Sequence, residues 1–145
     1  MARNALMGKK LVIALTDADG KALQKSPDIL KWSVEEITEE DKTYPIGEET
    51  EYRNVLQTGW KGSIDGQAIN TAYDDIVDAK IKYQEETGGT LTFVIFTTET
   101  YADGTVRKYK YENVTFDGYK RSNDGNNKPV TNTLNWHATR RVPIQ

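Results

Sequence analysis

The sequence predicts a mainly β chain: an antiparallel, barrel-like β-sandwich with one flanking α-helix. Three observations carry this. Short apolar stretches alternate with polar residues at period two along most of the chain. Turn residues separate them, with Asp103-Gly104 the strongest hairpin signal. Only one segment, residues 69–86, has apolar residues at helical spacing. The 145 residues suit one domain over 1–145 with a core of its own.

Residues 1–9 are polar or small and are expected to form an N-terminal arm. "KLVIAL", Lys10 to Leu15, is β-branched and apolar and reads as a strand. Thr16, Asp17 and Asp19 end this run too early for a signal peptide. "ILKWSVEEIT" alternates, which places Leu30, Trp32 and Val34 on one face of a second strand. Residues 38–52 are acidic, hold Pro45 and Gly47, and show no clean period, so a long loop or extended hairpin tip is expected.

The next strand carries Tyr52, Leu56, Trp60 and Ile64 in one phase. Ile69, Ala72, Tyr73, Ile76, Val77, Lys80 and Tyr83 then form the apolar stripe of the helix. Asn70 or Asp65 is the candidate cap, and Gly88-Gly89 the stop. Leu91 to Phe96 is apolar in both phases, so this strand is expected to be covered on both faces. The strand returning from Asp103-Gly104 changes phase between Tyr109/Tyr111 and Val114/Phe116, which predicts a bulge near Glu112. Leu134, Trp136 and Ala138 share one face of the last strand, and 141–145 reads as a polar tail.

Composition narrows the chemistry. No cysteine is present, which removes disulfides, thiol catalysis and cysteine-ligated metals. His137 is the single histidine. A hydrolase would have to use it, and no motif places a nucleophile and an orienting carboxylate beside it. "TGWKGSIDGQ" spaces its glycines G-x-x-G-x-x-x-G, which matches neither the P-loop nor the dinucleotide fingerprint. Gly59 and Gly62 are instead expected to allow close backbone approach, and Gly66 to turn the strand into the helix. Asp17 to Asp28 mimics a calcium loop but has Ala22 where glycine is needed and Lys21 and Lys25 at ligand positions.

The net charge of −3 is unevenly spread. Ser33 to Glu51 holds eight acids and one lysine, whereas Thr105 to Gln145 holds eight bases and three acids. Such polarity suits head-to-tail association of copies. The candidate self-assembly residues are the apolar knob Tyr44, Pro45 and Ile46, the acids Glu48 and Glu49 beside it, and the bases Arg140 and Arg141.

"TGWKGSIDGQ" leads directly into "NTAYDDIVDAKIKYQ", followed by "TYADGTVRKYKYENVTF", "GYKRSNDGNN" and "TNTLNWHATRR". This ordered set resembles bacteriophage tail tube proteins of the contractile-tailed type, over roughly residues 50–142. The resemblance implies hexameric rings whose inner sheets join into a continuous β-barrel. Stacked rings form a hollow tube, an architecture shared with the tube of type VI secretion systems. It further implies a sheath outside, a tape-measure protein in the lumen, and DNA passing through on ejection without specific binding. The implied place is the tail of a virion assembled in the bacterial host cytoplasm, with no membrane partner. A structural subunit of this kind has no catalysis, cofactor or metal. The alternative from the residues is a monomeric β-sandwich module binding a ligand or carbohydrate, although Trp32, Trp60 and Trp136 alternate with other apolar residues and read as core.

Overall fold

The computed structural model describes residues 10–43, 47 and 52–144. Seven strands and one helix follow in the order β1 (Leu11–Asp17), β2 (Lys31–Thr43), β3 (Tyr52–Gln67), α1 (Ala72–Thr87), β4 (Phe93–Thr100), β5 (Val106–Ser122), β6 (Thr131–Ala138) and β7 (Arg140–Ile144). The sheet order is β1-β4-β5-β6-β3-β2, all antiparallel, with β7 also on β5.

β5 belongs to two layers. Its first half pairs β4 and β7, and its second half pairs β6. The division falls at Asn113, which has φ 54°, and the register to β4 shifts there, where the phase change predicted a bulge. Across the strand, β6 and β7 continue each other past Thr139 in one register with β5 from Asp117 to Lys108; the β5–β6 register shifts only beyond, between Asp117 and Lys120. The two corners are tied. Asn113 Nδ2 donates to Thr139 Oγ1 at 3.1 Å, and the Thr139 amide donates to the Glu112 carbonyl at 3.2 Å. One layer is therefore β1-β4-β5-β7, and the other is β5-β6-β3-β2.

The core lies between the layers. Trp32 stacks on Trp136 at 5.1 Å, and Tyr111 meets Trp136 edge-on at 5.3 Å. Phe93 and Phe116 approach to 5.1 Å. Such pairs contribute about 0.5–1.5 kcal/mol each beyond their burial. Phe93, Val94 and Ile95 are all buried, as a strand apolar in both phases requires. Ala72, Tyr73 and Ile76 bury the stripe of α1. Thr71, not Asn70 or Asp65, is the N-cap and makes no side-chain cap bond. Asn70 Oδ1, just before it, accepts the Ala72 amide at 2.9 Å, Asp74 and Asp75 favour the positive helix end, and Gly88 stops the helix at φ 73°.

Several expectations change. The segment 38–52 is mostly paired: β2 continues to Thr43 and β3 starts at Tyr52, so the connection is confined to 44–51. Period two fails there because, among the described residues of the ribbon, the neighbours Val55 and Leu56 are both exposed and no single face is buried. Leu30 and Val34 are likewise exposed, one just before β2 and the other on the outermost strand. The helix spans 72–87, displaced from 69–86, and Ile69 is exposed before it. The expected polar tail, 141–145, is largely strand: β7 spans Arg140–Ile144. The Asp103-Gly104 turn closes through the Tyr101 amide and the Thr105 carbonyl, making it longer than a two-residue turn. Gly66 lies within β3 and does not turn the chain.

What glycine provides at 62 and 66 is space. A Cβ on Gly62 would overlap the Ser33 carbonyl and crowd Trp136, and one on Gly66 would overlap the Asp28 carbonyl and crowd the Tyr73 hydroxyl. Gly62→Ala and Gly66→Ala are each expected to cost about 1–3 kcal/mol in chemical denaturation. A loss within about 0.5 kcal/mol, the range of ordinary surface changes, would contradict this close approach.

Candidate functional site

The β5-β6-β3-β2 layer has one face in the core and one exposed. Register sets the exposed face as three rows: Lys31, Asp65, Thr133 and Lys120; Ser33, Ser63, Asn135 and Asp117; Glu35, Lys61, His137 and Thr115. Small hydroxyl and amide groups fill the centre, and Ser33 and Ser63 hydroxyls lie 3.0 Å apart. Cations and carboxylates balance across these rows. Lys31 is registered with Asp65, and Lys61 with Glu35. His137 Nδ1 is 3.7 Å from Asp117 Oδ1, beyond hydrogen-bond length, on this open surface.

Each side of this layer ends in an open edge. Among the described residues, β2 pairs only β3, and the Thr115–Ser122 half of β5 pairs only β6. The strands alternate in direction, so β2 and the second half of β5 run oppositely. An even number of antiparallel strands gives this result whatever the side chains.

Beyond Trp60, β3 leaves β6 and pairs only β2. The ribbon bulges between Ile37 and Thr38 and carries exposed Glu39, Val55 and Leu56. A two-stranded ribbon is marginal alone in water. The expected knob Tyr44, Pro45 and Ile46, with Glu48 and Glu49, lies outside the described residues.

Arg140 and Arg141 have different surroundings. Arg140 is exposed at the start of β7. The Arg141 guanidinium lies 4.2 Å from the Trp60 ring and 4.1 Å from the Tyr109 ring, filling the fork where β3 and β7 diverge. Burial pushes the Tyr111 phenol up, and Arg141 offsets part of that rise. The sequence signal was a basic pair; only the strand register separates the two roles.

A clasp missed in the sequence joins α1 to this layer. Tyr119 donates to Asp74 Oδ1 at 2.7 Å, and Arg121 Nη2 lies 2.6 Å from Asp74 Oδ2. Arg121 Nε donates to Asn132 Oδ1 at 2.9 Å, and the Tyr119 oxygen, whose one proton goes to Asp74, lies 3.1 Å from that same atom. The Tyr119 hydroxyl, and then Arg121, hold the Asp74 carboxyl below its usual value. Lys80 also donates to the Phe116 carbonyl at 3.0 Å. The three tryptophans contribute to the interior, with Trp60 and Trp136 buried and Trp32 half-buried, so they form no exposed platform for a sugar.

Comparison with solved structures identifies the architecture. The chain is similar to one from an extracellular contractile injection system, described as the PVC sheath/tube terminator in extended state. Identity is 9%, the TM-score is 0.71, and both chains are covered completely. A structure of the anti-feeding prophage cap, described as the AFP tube terminating cap, gives 10% identity and a TM-score of 0.71 over 100% of this chain and 94% of the other. The chain has a tail-tube-like fold. The SPP1 tail tube adds a TM-score of 0.58 at 10% identity, covering 96% of this chain and 78% of that one. No family model and no curated protein matches the sequence.

Two measurements test these contacts within the tail-tube-like fold. Arg141→Ala is expected to cost about 1–2 kcal/mol of stability through its two ring contacts. Arg140→Ala is expected to stay within about 0.5 kcal/mol; equal losses would contradict the assignment. A carboxylate depressed on folding adds stability above its unfolded value, about 3.9, and loses it as pH falls through the folded value. Below about pH 5, wild type should therefore lose more thermal stability than Asp74→Asn. Parallel acid limbs for the two proteins would remove the clasp from the account.

Proposed function

We propose that the chain is a structural subunit of a tail tube, with no catalysis, that assembles with copies of itself into hexameric rings stacked as a hollow tube. The observation that carries this is the β5-β6-β3-β2 layer, with a buried face, a polar face and two open edges of opposite direction. β2 of one copy beside β5 of the next continues the antiparallel alternation. Ring closure then removes exposed edges that a lone sandwich must otherwise protect. The similarity to chains from tube, terminator and cap structures supports the same reading.

In this assembly the three polar rows line the lumen. Phosphate contacts dominate affinity for DNA. The rows set Lys31 and Lys61 beside carboxylates and hold as many acids as cations. This suits the passage of DNA, and of a tape-measure protein, without tight binding. A contractile sheath surrounds the outside, and the place of action is a virion tail built in the host cytoplasm.

The β2–β3 ribbon is the contact to the adjacent ring. Val55 and Leu56 are its described apolar anchors, with the knob Tyr44, Pro45 and Ile46 beyond them. Arg140 is the member of the basic pair available for an ion pair between copies. Negative-stain microscopy of the purified chain is expected to show rings or tubes. The double variant Val55→Asp, Leu56→Asp should keep the wild-type circular dichroism and melting transition yet form no tubes. Normal tubes from this variant would remove the ribbon from the stacking contact.

A further inference from the structure

We infer that residues 1–9 of one copy dock in a groove on the copy stacked against it; the inference rests on the tube reading above. The groove has a volume of about 330 Å³ and lies between the segment Leu23–Lys25, helix α1 and the start of β4. Leu23, Ile76 and Phe93 give it an apolar lining, Ala72 and Ala79 keep it open, and Asp75 adds a carboxylate. Lys25 is held by its hydrogen bond to Thr71 Oγ1, 2.8 Å away.

The direction of β1 identifies the occupant. Asp17, at the end of β1, pairs Phe93 at the groove, whereas Leu11 pairs Glu99 at the far end. At about 3.3 Å per residue, seven strand residues separate these ends by about 20 Å. Lys10, where the described chain begins, therefore stands at the end opposite the groove. Following the register, Leu11, Glu99, Arg107 and Ile144 lie on the side toward which the ribbon extends. Head-to-tail stacking brings that side of one copy against the groove side of the next. Nine extended residues reach about 30 Å, which spans the junction without a reversal. Doubling back onto its own groove would require the segment to turn and retrace β1.

The chemistry of the two surfaces is complementary. The segment "MARNALMGK" offers Leu6 and Met7 as adjacent apolar side chains, with Arg3 and Lys9 on either side. Leu23, Ile76 and Phe93 match the apolar pair, and Asp75 matches a flanking base.

The chain has no cysteine, so introduced thiols are unique. Leu6→Cys in one preparation and Gln24→Cys, on the groove rim, in another are mixed, allowed to assemble and treated with a short bis-maleimide. Covalent dimers are expected in the assembled fraction and not in dispersed chains. Ala79→Trp, which fills the groove from an exposed position, should abolish the dimers while leaving the monomer's melting transition in place. Tubes without dimers would overturn the arm contact and leave the tube reading standing. Cross-linking within one chain of the doubly substituted protein, with none between mixed chains, would place the arm in its own groove and also overturn it. Failure of the unsubstituted chain to form rings or tubes would remove both.

Discussion

The fold depends on one strand serving two sheets. β5 is straight enough to carry β4 and β7 along its first half, then turns at Asn113 and carries β6 along its second. The neighbouring strand must turn at the same level or lose its pairing. It does so at Thr139, and the Asn113 side chain fixes the two turns to each other. A non-glycine residue at positive φ is a local cost, and asparagine tolerates it better than most. The corner folds the sheet onto itself and brings Tyr111 of one layer against Trp136 of the other.

The open edges follow from that corner. Because β4 follows only the first half of β5, the second half has no strand beside it on that side. Because the corner also directs β7 away from β3, the ribbon beyond Trp60 has only β2 as a partner. Arg141 fills the resulting fork with a cation between two rings, which closes the core there without closing the sheet. Helix α1 packs Tyr73 and Ile76 into the core and is fixed by the clasp from Asp74 to Tyr119 and Arg121. A sandwich whose outer strands β2 and the second half of β5 lack a second strand partner among the described residues suits a unit of a larger β structure.

Much of this was legible in the sequence. The helix, its glycine stop, the doubly apolar β4 and the bulge before Asn113 follow from residue spacing, since each is set by near neighbours. The inward face of Leu134, Trp136 and Ala138 was readable for the same reason. Legibility failed where distant strands decide. The ribbon looked like a loop because its described apolar residues Val55 and Leu56 are both exposed, so no buried face marks a period. β7 looked like a tail because its partner lies about thirty residues away in sequence. Arg141 looked like half of a surface pair because Trp60 and Tyr109 are brought to it only by the fork. Gly66 looked like a turn, whereas the carbonyl that excludes a side chain there belongs to Asp28, on another segment.

The central claim is that the free edges of the β5-β6-β3-β2 layer become paired between copies. Amide hydrogen exchange, compared between dispersed chains and the assembled particle, tests it directly. Strand pairing should slow exchange along β2 from Lys31 to Glu36 and along β5 from Thr115 to Ser122, while β6, already paired on both sides, changes little. Unchanged exchange at both edges in an assembled particle would contradict the account.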